Sequence, residues 1–157
     1  MTATKVIGES VKQTNRTFIK SYVNDYADAI TENYKRYHLR TLKGNLSGNY
    51  PEYAREQLDA IENGTANLMK FKVYTGKRYY KIVQQEFETW EKSRNYGKYA
   101  DGSVHCFVDK ETGDVYKPAS WSAPAKHVRF TFQNVDHLKF LLNPDNVGWA
   151  GGYLYIR

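Results

Sequence analysis

The chain has 157 residues, 23 of them basic and 17 acidic, and its net charge of +6 favours anionic partners. This length favours a single domain over residues 1–157 that buries a core without cross-links. One cysteine, Cys106, excludes an internal disulfide and a cysteine-rich metal cluster. The sequence has no signal-peptide pattern and no apolar stretch near the roughly twenty residues of a membrane span, so we expect a protein of a reducing compartment without membrane contact.

The first part of the chain predicts two helices. Apolar residues recur at spacings of three and four from residue 14 or 15 to about Leu42, after a loose arm or a first helical turn. A shorter helix is expected to begin at Pro51, because proline suits a first helical position, and to end at Asn63-Gly64. We expect the two helices to pack as an antiparallel pair against a sheet.

A basic hairpin is predicted at Leu68–Phe87, where apolar and polar side chains alternate on both sides of a turn. Its cations and rings are Lys70, Lys72, Tyr74, Lys77, Arg78, Tyr79, Tyr80 and Lys81. Rings that stack on bases, among cations that contact phosphates, are typical of proteins that bind single-stranded nucleic acid. The alternative is an ordinary exposed hairpin that its lysines keep soluble.

A second hairpin is predicted at Val104–Lys117, with a loop that ends at Gly113, a residue able to take a positive φ. Pro118 and Pro124 then interrupt regular structure on either side of Trp121. A strand follows, and its alternation predicts one face with Val128, Phe130 and Phe132 and another with His127, Arg129 and Thr131.

The chain is expected to end with a short helix and a strand. Residues Val135–Leu142 predict the helix, capped by Asn134 and stopped before Pro144. Residues Tyr153–Ile156 predict a closing strand. The fold class is therefore α+β: a mostly antiparallel sheet of two hairpins plus a closing strand, covered by an N-terminal helix pair and a short late helix.

Catalytic motifs are absent from the sequence. It contains no phosphate-binding loop, no nucleophile elbow, no zinc-protease helix motif and no cysteine pair, so it indicates no cofactor and no metal site. His105 and His127 lie on candidate neighbouring strands and would act as general acid and base if they met across a pocket. A small nucleotide hydrolase or transferase is therefore one alternative, although the sequence favours a protein that is not an enzyme.

The run GDVYKPASWSAPAKHVRF at residues 113–130 and the terminal GWAGGYLYIR at residues 148–157 resemble small uncharacterised accessory proteins of tailed bacteriophages. The resemblance is confined to the C-terminal third of the chain. It implies a phage accessory protein of host takeover or anti-defence that acts in the host cytoplasm, and it implies no site residue and no family function.

We expect a non-catalytic binding protein whose partner is anionic, either a nucleotide-derived small molecule or nucleic acid. An inhibitor of a host protein, acting through a tyrosine-rich surface, is the alternative, and assembly as a homo-oligomer is open in both cases. Arg129 would bind phosphate with two hydrogen bonds or form an ordinary ion pair, and Trp121 would stack on a base or fill the core. The predicted binding residues are Arg129, His127, Lys126, Lys117 and Trp121, followed by Arg78, Tyr80 and His105.

Overall fold

The computed structural model describes the backbone of residues 2–155 and the side chains of residues 16–155. This part of the chain forms the α-helices α1 (Thr2–Asn45), α2 (Pro51–Glu62) and α3 (Val135–Leu141). Its strands are β1 (Lys70–Thr75), β2 (Tyr79–Phe87), β3 (Tyr99–Asp109), β4 (Asp114–Pro118) and β5 (Pro124–Thr131). The predicted α+β class is confirmed. None of the described helices combines the length and the apolar character that a membrane crossing requires.

The five strands form one sheet in the order β1-β2-β3-β4-β5, and each pairs antiparallel with its neighbour in sequence. The two predicted hairpins are confirmed as β1–β2 and β3–β4, and β5 extends the sheet beside β4. Because successive strands are joined directly, the turns and bulges between them fix the register of the whole sheet.

The helices cover one face of the sheet, which we call the inner face. From α1, the residues Ile19, Val23, Tyr26 and Ile30 are buried, and their spacing by three and four places them on one stripe of the helix. The sheet contributes Phe71, Tyr80, Ile82, Cys106, Val108 and Val115 to the same core. Since successive side chains on a strand lie on opposite faces, this packing leaves the alternate residues on the other side of the sheet.

Helix α1 is longer than the sequence predicted, because it begins at Thr2 and not near residue 14. Apolar periodicity gave no signal for the first turns, where Val6, Ile7 and Val11 are the only large apolar residues after Met1. The segment contains no proline, so nothing in its backbone chemistry stops the helix from extending to Thr2. The prediction of a loose arm was wrong for these residues.

The predicted closing strand is also wrong within the described residues, and Ile156 lies outside them. Gly152–Leu154 forms a single 3₁₀ turn that follows Gly151, whose φ is +82°. The backbone N–H of Leu154 donates to the carbonyl of Gly151, so this donor serves the turn and not a sheet ladder. Leu154 is buried in the core, so residues 152–154 pack on the sheet instead of extending it.

A bulge in β5 divides the face that the alternation predicted. Val115 pairs with Phe130, whereas the next residue, Tyr116, pairs with Val128, so Arg129 is an extra residue without a partner in the register. Val128 consequently lies on the opposite face from Phe130 and is exposed. The prediction that Val128 shares a face with Phe130 was therefore wrong.

Gly113 closes the β3–β4 turn with a φ of +74°, as the sequence predicted. A β-carbon at Gly113 would lie 2.9 Å from Cβ of Phe132, whereas one at Gly64, with a φ of +77°, would meet no atom within 4 Å. We expect Gly113→Ala to lower the free energy of unfolding by about 2–3 kcal/mol and Gly64→Ala by about 1 kcal/mol, measured by urea denaturation. Equal losses would show that the contact with Phe132 costs nothing.

Candidate functional site

The register aligns one residue from each strand in a row across the side of the sheet that faces away from the helices. The row consists of Tyr74, Lys81, Phe107, Tyr116 and Val128. Residues directly opposite each other on paired antiparallel strands share a face. We call this side of the sheet the outer face, and it combines rings with a cation on β2.

An aromatic cluster forms the floor of the outer face. Phe107 is only 3% exposed although it lies on this side, because neighbouring rings cover it. The ring of Tyr79 contacts Phe107 edge to face at 5.9 Å between centroids and Tyr116 at 6.1 Å. Such ring pairs stabilise each other beyond the area they bury. The outer face therefore has a packed floor of its own.

Trp121 lies above this floor, on the loop between β4 and β5. Backbone bonds across the loop and the Ser120 hydroxyl, which accepts from Ser122 and Ala123, hold the loop in shape. Lys81 fixes the tryptophan, since its Nζ donates to the Trp121 carbonyl at 3.1 Å and lies 4.0 Å from the ring centroid. The indole is 45% exposed. Of the two roles left open by the sequence, filling the core is thereby excluded.

Next to Trp121 the outer face contains a cleft of about 420 Å³, which we call the outer cleft. Its charged and aromatic lining includes Tyr74, Lys77, Arg78, Tyr79, Lys81 and Trp121. The Arg78 guanidinium lies over the Tyr79 ring at 5.2 Å, which repeats the arrangement of Lys81 and Trp121. Cations held over rings place positive charge and exposed π surface side by side.

Asp101 is the carboxylate in the lining of the outer cleft. It accepts hydrogen bonds of 2.8 Å from the Gln85 amide and from the Tyr74 hydroxyl. The Gln85 hydrogen bond, followed by the Tyr74 hydrogen bond and the charges of Lys72 and Lys81, lowers the pKa of Asp101 below its ordinary value. Asp101 is therefore ionised at neutral pH and fixes the orientation of Tyr74.

Two of the predicted residues hold the end of the chain. Arg129 is half-buried, and its Nε donates to the Leu154 carbonyl while its Nη1 donates to the His127 carbonyl, both at 2.7 Å. The ammonium of Lys117 lies 4.0 Å from the centre of the Tyr155 ring. Arg129 thus uses two of its five N–H donors on backbone carbonyls.

The predicted residues do not form one site. Trp121 and Arg78 line the outer cleft, whereas Lys126 and His127 are exposed on β5 and lie outside its lining. Tyr80 is 5% exposed and packs on the inner face, so its ring is not available for stacking.

The sequence could have corrected the choice of Tyr80 over its neighbours. Tyr80 alternates with Ile82, whereas Tyr79 and Lys81 lie on either side of Tyr80, on the face that the apolar residues leave free. Alternation on β2 was thus a sufficient signal for Tyr79 and Lys81. Alternation with Cys106 and Val108 likewise separates Phe107 from the apolar face of its own strand, whereas its pairing with Tyr116 depends on the cross-strand register.

His105 lies in the core, in a bulge of β3. Its Nε2 is 2.7 Å from the Tyr153 hydroxyl, which is in turn 2.5 Å from the hydroxyl of Tyr26 on α1. Burial lowers the pKa of His105 to about 4, although a hydrogen bond to the Trp149 backbone acts in the opposite direction. A histidine that is neutral and hydrogen-bonded in this way does not support acid–base catalysis with the exposed His127, two strands away.

No metal centre is formed by the described side chains, since nowhere among residues 16–155 do three or more His, Cys, Asp or Glu side chains come together as ligands. Cys106 is buried, and burial raises the pKa of its thiol to about 12. A thiol with such a pKa is a poor nucleophile and a poor metal ligand at neutral pH. The chemistry of the candidate site is therefore that of rings and cations.

The pKa of His105 predicts a pH dependence of stability. Between pH 6.5 and 4 the unfolded chain binds a proton at this residue that the folded chain does not, so protonation favours unfolding as the pH falls. We expect His105 to contribute about 3 kcal/mol to the loss of stability over this range, and His105→Gln to lack that part of the slope. Urea denaturation of both proteins at each pH measures the difference. Parallel profiles would contradict a neutral, buried His105.

Comparison with known proteins adds a family and no activity. Residues 5–156 match a family model whose description is "Family of unknown function (DUF7717)". The chain matches no curated protein and no solved structure in these comparisons. The family match covers nearly the whole chain, including every strand and helix that forms the outer face and its support. The chain therefore belongs to the DUF7717 family of unknown function.

Proposed function

We propose that this protein binds single-stranded nucleic acid on the outer face of its sheet. The observation that supports the proposal most directly is the exposed Trp121 ring, held above an aromatic floor by Lys81 and flanked by Arg78 in one cleft. Unpaired bases have free π faces that stack on such rings, while cations beside the rings attract the phosphates.

The geometry of Trp121 favours stacking on one side. The Lys81 ammonium occupies one face of the indole, 4.0 Å from the ring centroid, and makes a hydrogen bond to the backbone of the same residue. A base would stack on the opposite face, so Lys81 is a positioning residue for Trp121. A fixed ring loses little conformational entropy when a base binds.

A nucleic-acid strand fits the outer cleft better than a sequestered small nucleotide. The cleft is open to solvent, and the outer face continues beyond it along the same row of residues to Tyr116 and Val128. A protein that sequesters a small ligand encloses most of its surface, whereas a protein that binds a strand needs an open track. The net charge of +6 is also of the sign that such a partner requires.

The accessory role in a bacteriophage remains a proposal that depends on the sequence resemblance alone. Nucleic-acid binding is compatible with this role. In that setting the protein would act in the host cytoplasm.

An inhibitor of a host protein is the second candidate function. Large rings outside the outer face are exposed to solvent, notably Tyr50 at 77%, Trp90 at 63% and Tyr53 at 59%. Aromatic side chains of this kind are common at the centres of protein interfaces. A protein partner bound there predicts an affinity that salt weakens little, whereas counterion release makes nucleic-acid binding strongly salt-dependent.

We expect Trp121→Ala to weaken binding of a 12-nucleotide thymidine strand by a factor of about 5 to 150, because loss of one stacked base costs about 1–3 kcal/mol. Fluorescence anisotropy at low salt measures the change. Trp90→Ala is the matched control: this tryptophan is exposed as well but lies in the β2–β3 connection, outside the outer cleft, and its loss should leave the affinity unchanged.

Two results would contradict the proposal. Equal weakening by both tryptophan variants would mean that binding does not use the outer face. Absence of binding to any single strand at low salt would refute single-stranded nucleic acid as the partner and favour the protein interface.

A further inference from the structure

A second cleft lies beside the outer cleft, where the β1–β2 and β3–β4 turns meet the N-terminal part of α1. It has a volume of about 440 Å³, and we call it the turn cleft. Its lining consists of Arg16, Lys77, Arg78, Asp109, Lys110, Glu111 and Thr112. Four of these side chains are cationic and two are anionic. The turn cleft shares Lys77 and Arg78 with the outer cleft, so the two clefts are adjacent.

The two turns that form the cleft are bonded to each other. The backbone N–H of Lys110 donates to the Arg78 carbonyl at 3.0 Å, and the Lys110 ammonium donates to the Gly76 carbonyl at 3.1 Å. These bonds tie the β3–β4 turn to the β1–β2 turn. The cationic side chains therefore project from a fixed backbone and not from two independent loops.

The two carboxylates of the turn cleft leave Lys77 unpaired, and Asp109 pairs with Arg78 only through Nε. Glu111 pairs with Arg16, at 2.5 Å. The Asp109 side chain is 9% exposed, and one of its oxygens accepts from the backbone N–H groups of Glu111 and Thr112 at 2.8 and 3.1 Å. The other oxygen of Asp109 is 3.7 Å from Nε of Arg78, beyond normal hydrogen-bond length. Asp109 is thus engaged mainly by its own turn.

Lys77 and Arg78 consequently retain binding capacity. The Arg78 side chain is 73% exposed, and the contact with Asp109 involves Nε, so both terminal nitrogens of the guanidinium can bind a planar pair of oxygens. Lys77 is exposed and pairs with no carboxylate among residues 16–155. Two cations with free donors, next to a stacking cleft, form the charge pattern that a phosphate group needs.

We propose that the turn cleft is the phosphate subsite of the outer face, in which Lys77 and Arg78 bind phosphodiester groups of the strand whose bases stack in the outer cleft. This inference rests on the proposed nucleic-acid function. The strand would run from Trp121 across the outer cleft toward the two turns, because Lys77 and Arg78 are the residues common to both clefts. Phosphate oxygens from a free nucleotide terminus have the same chemistry, and the test separates the two sources.

The test compares two double variants. The turn variant is Lys77→Ala/Arg78→Ala, and the α1 variant is Lys20→Ala/Lys35→Ala, whose two exposed lysines lie on α1. Both variants lose two positive charges, so only the position of the charge differs. Binding of an unphosphorylated 12-nucleotide thymidine strand is measured at several salt concentrations. We expect the turn variant to reduce the slope of log K against log salt by about 1.4, since each contacted phosphate of a single strand contributes about 0.7, and the α1 variant to leave it unchanged.

Inorganic pyrophosphate is the second probe. Its binding to the intact protein is monitored through the NMR resonances of the backbone amides. We expect chemical shift changes at residues 76–78 and 109–112 that disappear in the turn variant. If the strand binds but neither the slope nor these resonances respond to the turn variant, the phosphate subsite is refuted and the proposed function stands. An equal loss of slope in both variants likewise refutes the subsite, because charge alone then explains the effect.

The outcomes also separate the two sources of phosphate. If pyrophosphate shifts these resonances through Lys77 and Arg78 while the strand does not bind, the cleft binds free phosphate groups, and both the proposed function and the phosphodiester assignment fail. If neither probe binds, the subsite and the proposed function fail together.

Discussion

The structure depends on the packing of α1 against one face of an antiparallel sheet. Val23, Tyr26 and Ile30 are completely buried there, and the apolar residues of the strands that meet them are fixed on the inner face. Because side chains alternate along each strand, this single constraint also decides what the outer face contains. Lys81 and Phe107 lie on the outer face because their neighbours on each strand are packed against the helices.

Residues 144–154 also pack at the inner face, where side chains of β5 and α1 bind their backbone. Arg129 holds the carbonyl of Leu154, and Asn33 of α1 accepts from the backbone N–H of Trp149 and donates to the Pro144 carbonyl. Buried backbone groups must be paired, and these long side chains supply partners where no strand continues the ladder. The C-terminal segment is therefore part of the core as far as Leu154, and Arg129 contributes to holding it there.

The outer face combines two properties that usually compete. Its rings pack well enough to bury Phe107, yet Lys81 and Arg78 lie over rings near solvent, and of the two only Arg78 approaches a carboxylate, Asp109 at 3.7 Å from its Nε. A cation over an aromatic face keeps its charge and remains able to bind an anion, whereas a salt bridge would neutralise it. This arrangement allows one surface to provide π stacking and positive potential, and the turn cleft extends the same charge to the end of the sheet.

The sequence by itself determined the α+β class, both hairpins, the cap of α3 by Asn134 and the positive φ of Gly113, because these features follow from local periodicity and turn chemistry. It also indicated the basic, aromatic β1–β2 hairpin. Only the tertiary structure decided that His105 is buried, that Arg129 donates to the Leu154 carbonyl, and that Trp121 lies over Lys81. Those outcomes depend on bulges and on cross-strand register, which one extra residue in a strand reverses and which no local pattern encodes.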